Sequence, residues 1–100
     1  MPKLYEYFGL VILFYSGEHE PLHVHGQSKD RESRAEIIVL NGVITEIRYG
    51  KIAEHPLNNK EMRLFKKLIT ARANDIVSKW TDFFALHKPI TPERITRRLK

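Results

Sequence analysis

One hundred residues, a net charge of +5, 42% hydrophobic residues and no cysteine describe a chain long enough for one domain over residues 1–100. The absence of cysteine excludes disulfides, thiolate zinc sites and cysteine nucleophiles together. Leu10 to Tyr15, the longest apolar run, is far too short to cross a bilayer or to form a signal-peptide core, so a soluble, cytoplasmic protein with no membrane contact is expected. The basicity is local: Lys88 to Lys100 holds five basic residues against the single Glu93, and the rest of the chain is nearly balanced.

In chain order, Leu4 to Tyr15 is dense in aromatic and β-branched residues and ends at Ser16-Gly17, which predicts a strand bounded by a turn. Gly9 within it marks a bulge or a bend. Pro21 pushes Glu20 to extended geometry, so His23, Val24 and His25 read as the core of a short second strand that Gly26 can end. Gln27 to Arg34 is wholly polar and is expected to be a solvated loop or a ragged strand edge.

Ala35 to Leu40, Asn41-Gly42 and Val43 to Tyr49 then form the clearest signal, because Asn-Gly supplies the two positive φ values of a type I′ hairpin. Counting outward pairs Leu40 with Val43, Ile38 with Thr45 and Glu36 with Ile47 on one face. The other face receives Val39 with Ile44, Ile37 with Glu46 and Ala35 with Arg48. After Pro56, Asn58 is placed to cap a long helix, with Glu61 suited to its first turn. Phe65, Ile69, Ile76, Trp80 and Phe84 recur at helical spacing and define its buried stripe. Thr91-Pro92-Glu93 resembles a helix start, so Pro92 to Leu99 is predicted as a short terminal helix. The expected fold is α+β: a small antiparallel sheet of about four strands, including the Asn-Gly hairpin, packed on one long C-terminal helix plus the short one.

The chemistry concentrates in Glu18-His19-Glu20-Pro21-Leu22-His23-Val24-His25, which holds three of the five histidines. On an extended chain His23 and His25 point to the same side, and His19 from the preceding turn can complete a set of three. With Glu18 or Glu20 as a carboxylate, such a set suits a divalent transition metal. Paired imidazoles also suit a phosphodiester reaction, one taking the attacking hydroxyl's proton and the other protonating the leaving oxygen. Lys29, Arg31 and Arg34 lie close by in sequence to balance charge, while Tyr7, Tyr15 and Tyr49 can stack on bases if exposed. Arg94, Arg97, Arg98 and Lys100 in the basic extension are candidates for an anion or nucleic-acid contact. The stripe of Lys60, Arg63, Lys66 and Lys67 could hold nucleic-acid phosphates as well, but an ordinary solvated helix face is the favoured reading of it. A helix-turn-helix is not expected, since no second helix of suitable length follows the long one at a short turn.

Tyr7-Phe8-Gly9-Leu10-Val11-Ile12, then Phe14-Tyr15-Ser16 and the Glu18 to His25 segment, together resemble the start of the bacterial domain-of-unknown-function family 4160. Such proteins open with an aromatic strand and lead into Pro-x-His-x-His; a long helix with a late tryptophan, here Trp80, also fits. Against that pattern the polar stretch from Gln27 to Arg34 and the basic tail stand out as departures. The resemblance implies that His19, Pro21, His23 and His25 belong to the family's pattern, and it implies no reaction. It also implies a genetic setting beside another small domain, similar to toxin-antitoxin pairs. The leading expectation is therefore a regulatory, toxin-antitoxin-like module that binds a small protein partner or a second copy of itself, with the His segment as its functional surface. A metal-dependent or histidine acid-base enzyme acting on a phosphodiester is the alternative, and a nucleic-acid-binding module using the basic tail is a third reading.

Overall fold

The computed structural model describes residues 3–14, 22–51 and 55–99. Strands β1 (Lys3–Tyr7), β2 (Leu10–Leu13), β3 (His23–Ser28), β4 (Arg31–Leu40) and β5 (Val43–Lys51) precede helix α1 (Asn59–Trp80), a π-helical turn at Thr81–Ala85 and strand β6 (Glu93–Ile95). All six strands join one sheet in the order β5-β4-β3-β2-β1-β6. The sheet is mixed, because β6 runs parallel to β1 while every other pairing is antiparallel. The α+β class agrees with the sequence, but the sheet has more than the expected four strands.

The extra strands come from places where local signals mislead. The aromatic run does not make one strand: Phe8 (φ 47°) and Gly9 (φ 89°) fold it into a two-residue hairpin between β1 and β2. A bulge between Lys3 and Tyr5 then lets the consecutive residues Leu4 and Tyr5 both be buried, which strict alternation would forbid. The polar stretch is no loop either. Gly26 does not end β3, which continues to Ser28, and Lys29-Asp30 turns it into β4. Only Asn41 (φ 51°) and Gly42 (φ 80°) form the hairpin as expected, and its register holds for just two pairs, Leu40 with Val43 and Val39 with Ile44. Thr45 is then bulged out, so Ile38 meets Glu46, Ile37 meets Ile47 and Ala35 meets Tyr49. The shift sets Ile37 and Ile47 side by side instead of pairing each with a charged residue.

Helix α1 starts as predicted: Asn58 accepts from the Glu61 N–H at 2.8 Å while the Glu61 carboxylate accepts from the Asn58 N–H at 2.9 Å. It packs on the sheet face that carries Tyr5, Ile12, Val24 and Ile37, through buried Leu64, Phe65, Leu68, Ile69 and Ile76. Gly26 sits beneath Phe65, where a Cβ would lie 2.8 Å from ring carbons. Trp80, Phe84 and Phe14 close the far end, with ring centroids 4.4 to 5.6 Å apart. His87 (φ 57°) ends the helical region, and the N–H of Lys88 donates to the Asp82 carbonyl at 2.8 Å.

The predicted terminal helix is not formed. Pro92 is tolerated just before an edge strand, and β6 satisfies its backbone on β1 while burying Ile95. Glu93 pairs with Arg72 at 3.3 Å, and Leu99 donates its N–H to the buried Tyr7 hydroxyl at 2.9 Å, which ties the chain's end back across the molecule. Among the described residues, no helix is long and apolar enough to cross a membrane.

Candidate functional site

Alternation along β3 decides where the histidines go. Val24 and Gly26 face α1, so His23, His25 and Gln27 project from the opposite face, opposite Glu36, Arg34 and Glu32 of β4. His23 and His25 do share a side, with ring centroids 5.4 Å apart in an edge-to-face arrangement. His25 is 3% exposed, and its Nδ1 lies 3.3 Å from the Glu32 Oε2. Gln27 Nε2 donates to the other oxygen of that carboxylate at 2.7 Å. The Glu32 carboxylate, held by Gln27, thus sits within ion-pairing distance of the buried His25 ring. Farther along the face, Arg34 pairs with Glu36 at 3.2 Å, and Arg48 with Glu46, in a self-compensated polar surface.

Glu18 and His19, proposed as the remaining metal donors, lie outside the described residues. Among the described residues no group of three or more His, Asp or Glu side chains converges as a metal site. His55 contributes its backbone carbonyl, which accepts from Glu32 N–H at 2.9 Å, and His87 serves as the helix stop. Tyr7 is fully buried, and Tyr49 is half-buried against Phe65, so neither offers an open ring; Tyr15 is outside the described residues. Arg31 is spent on structure: it and Ser28 clamp Glu61 from the two ends of the β3–β4 turn, at 2.7 Å and 2.6 Å. Arg31 and the Ser28 and Asn58 bonds hold the Glu61 carboxyl far below its ordinary value, at about 2. Tyr5 and Lys79 both donate to Asp75; burial opposes its ionisation, but those bonds hold its carboxyl below the ordinary value. Burial, followed by that same bond to Asp75, pushes the Tyr5 hydroxyl well above its own.

A second feature lies on the outer surface of α1. In the second half of this helix each cation has a carboxylate, Arg72 with Glu93 and Lys79 with Asp75. In its first half Lys60, Arg63, Lys66 and Lys67 have none among the described residues, and Lys66 rests over the Tyr49 ring at 5.3 Å. The chain's return after β6 brings Arg98 to this stripe. Lys60, Arg63, Lys67 and Arg98, with Leu64, line a cleft of about 160 Å³. Arg98 also lies over the Phe8 ring, 5.5 Å from its centroid, and that ring is 49% exposed. Of the other tail candidates, Arg97 is exposed, Arg94 pairs with Glu6 at 3.7 Å and Lys100 lies outside the described residues.

Sequence reasoning favoured a solvated face for the stripe and missed Phe8 and Glu32. The Phe-Gly pair was a usable turn signal for Phe8. Nothing local announced Glu32, whose role depends on the β3–β4 register.

Fold and surface together define a small α+β protein with a six-stranded mixed sheet, a His23–His25 pair with Glu32 beside His25, and a helix whose first half carries cations that have no carboxylate partner among the described residues. Residues 9–81 match the family described as Domain of unknown function (DUF4160), and the chain belongs to that family. The matched span includes β3, β4 and their turn, so the polar stretch read as a departure falls inside the family region. Comparison with the curated proteins found no match, and comparison with the solved structures found none.

Proposed function

We propose that this protein is a small regulatory module that binds single-stranded nucleic acid across the first half of α1 and the C-terminal return. The observation that carries this reading is the cleft in which Arg98 joins Lys60, Arg63 and Lys67 with no carboxylate in its lining. Four such cations can each neutralise one phosphate, and the half-exposed Phe8 ring at their border offers a base a stacking surface. Phe8 holds a positive φ of 47°, a conformation unfavourable for a bulky residue, and strain of this kind supports a functional reason for the side chain. The histidine pair lies at the end of β3 where His23 comes within 6.5 Å of the ring of Trp80, the last residue of α1, so it is not aimed at a strand bound along the first half of that helix.

The test is fluorescence anisotropy with a labelled single-stranded oligonucleotide, as RNA and as DNA, against a duplex of the same length. Four neutralised phosphates predict a log-log salt slope of about −3, or about a 50-fold loss of affinity between about 50 and about 200 mM salt. Lys67→Glu with Arg98→Glu should weaken binding at least about tenfold and flatten that slope. Wild type that does not bind, or the charge-reversed variant binding as well as wild type, overturns the proposal. Tighter binding to duplex overturns its single-strand part.

A protein-partner role of the toxin-antitoxin kind is a second reading, favoured by the apolar tip of the β4–β5 hairpin, where Leu40 and Val43 are 61% and 62% exposed. Co-purification with the neighbouring gene product tests it. Capture by wild type that is lost in Leu40→Ser with Val43→Ser supports it, and no complex removes it.

A further inference from the structure

The sheet ends in two edges of very different character. On one side β6 is three residues long and follows Pro92, so it offers little to another strand. On the other side β5 runs for nine residues and, among the described residues, pairs only with β4. Its outer backbone groups form an open template, and natural sheets rarely leave one so long without covering it.

The sequence of β5 complements itself. Rotating the strand about Ile47 and laying it antiparallel to the original sets Glu46 opposite Arg48 of the second copy, and Arg48 opposite its Glu46. Both side chains are more than half exposed, and at present they pair with each other along the strand, so two cross-strand ion pairs can replace two local ones without repacking. Ile47 meets its own equivalent on the helix side, where it is half-buried at the margin of the core. Thr45 comes opposite Tyr49, beyond which the bulge puts Ile44 out of step with the second strand. The bulge at Thr45 limits the length of regular pairing, and the Thr45 hydroxyl already donates to the Ile38 carbonyl at 3.3 Å.

We propose that β5 is the interface of a two-fold symmetric homodimer in which the two sheets join, antiparallel, at Ile47. The dyad stands perpendicular to the joined sheet, so both α1 helices lie on the same side of it. The short ladder makes the dimer weak and concentration-dependent. It stands apart from the nucleic-acid reading, because Glu46 and Arg48 lie on the face opposite α1.

Sedimentation equilibrium of the full chain, from micromolar to near-millimolar concentration, reads the dissociation constant. Wild type is expected to dimerise within that range. Arg48→Glu sets like charges opposite one another twice and should raise the dissociation constant on the order of 30-fold. Glu46→Arg added to Arg48→Glu exchanges the charges and should restore dimerisation. The exposed positions keep the fold intact in each variant, which circular dichroism verifies. A wild type that is monomeric throughout overturns the proposal. So does Arg48→Glu dimerising like wild type, or a folded double variant that stays monomeric.

Discussion

Two of the hairpins turn through the same backbone path with opposite chemistry. Asn41-Gly42 and Phe8-Gly9 are both two-residue turns with positive φ at each position, 51° and 80° in one, 47° and 89° in the other. Asparagine enters the left-handed region readily because its short polar side chain bonds locally, whereas a phenylalanine there gives up roughly 1–2 kcal/mol. Nor does Phe8 recover that loss by burial, since half of its ring is in solvent beside Arg98. One turn suits folding; under the proposed function the other is kept for what it displays. A third, Lys29-Asp30, shows how an unfavoured turn is otherwise held: Lys29 has a φ of 58°, but Ser28 and Arg31 on either side of it are both anchored to Glu61 of α1. Among the described residues the Phe8 turn has no ion-pair clamp to α1; its neighbours Tyr7 and Leu10 are buried, and the Tyr7 hydroxyl accepts from the Leu99 N–H.

The largest expected effect comes from the frame that carries all three turns. Gly26→Ala places a methyl 2.8 Å from carbons of the fully buried Phe65, which has no space into which to withdraw. A loss of up to about 3 kcal/mol in urea unfolding is expected. An unchanged midpoint would mean that sheet and helix are looser at their centre than described, and turn strain could then not be compared on a common scaffold.

Next comes the exchange of chemistry between turns. Asn41→Phe should reproduce at the second tip the strain present at the first, lowering stability by about 1–2 kcal/mol. No loss would show that this path tolerates any residue, and Phe8 would carry no strain worth explaining.

The clamped turn supplies a smaller effect with a pH signature. Glu61→Gln removes the carboxylate from Arg31, Ser28 and the helix cap, and should destabilise by on the order of 1 kcal/mol at neutral pH. Folding lowers this carboxyl from 4.5 to about 2, so its contribution is complete above the ordinary carboxylate range and disappears as pH falls toward about 2. Wild type should therefore converge on the variant in acid. A difference that stays constant down to pH about 2 would assign the effect to shape instead of charge.

These turns also mark how far the sequence could be read. Asn41-Gly42 and the Asn58-Glu61 capping box were legible because each is closed by residues within a few positions, and same-side His23 and His25 follow from alternation alone. The bulge at Thr45 was not, since it answers to which residues lie across β4 and beneath α1. Thr91-Pro92-Glu93 carried a sound local helix signal, overridden by the open edge of β1, 88 residues earlier in the chain. Because that pairing was hidden, so was the meeting of Arg98 with Lys60, Arg63 and Lys67. Glu32 was hidden for a similar reason: the polar run from Gln27 to Arg34 shows no apolar alternation from which to read its partners.

The smallest change in stability separates the two roles most sharply. Phe8→Asn should relax the first turn and raise stability by a few tenths to about 1 kcal/mol, while taking away the ring beside Arg98 and weakening oligonucleotide binding about tenfold. Phe8→Ala is the control, for alanine is also disfavoured at this φ: it should lose the same affinity with no gain in stability. If Phe8→Asn is more stable and binds as well as wild type, the strain serves something other than display to nucleic acid. If both variants lose affinity and only Phe8→Asn gains stability, the strain and the binding surface belong to the same side chain, and the contrast with Asn41 is one of function.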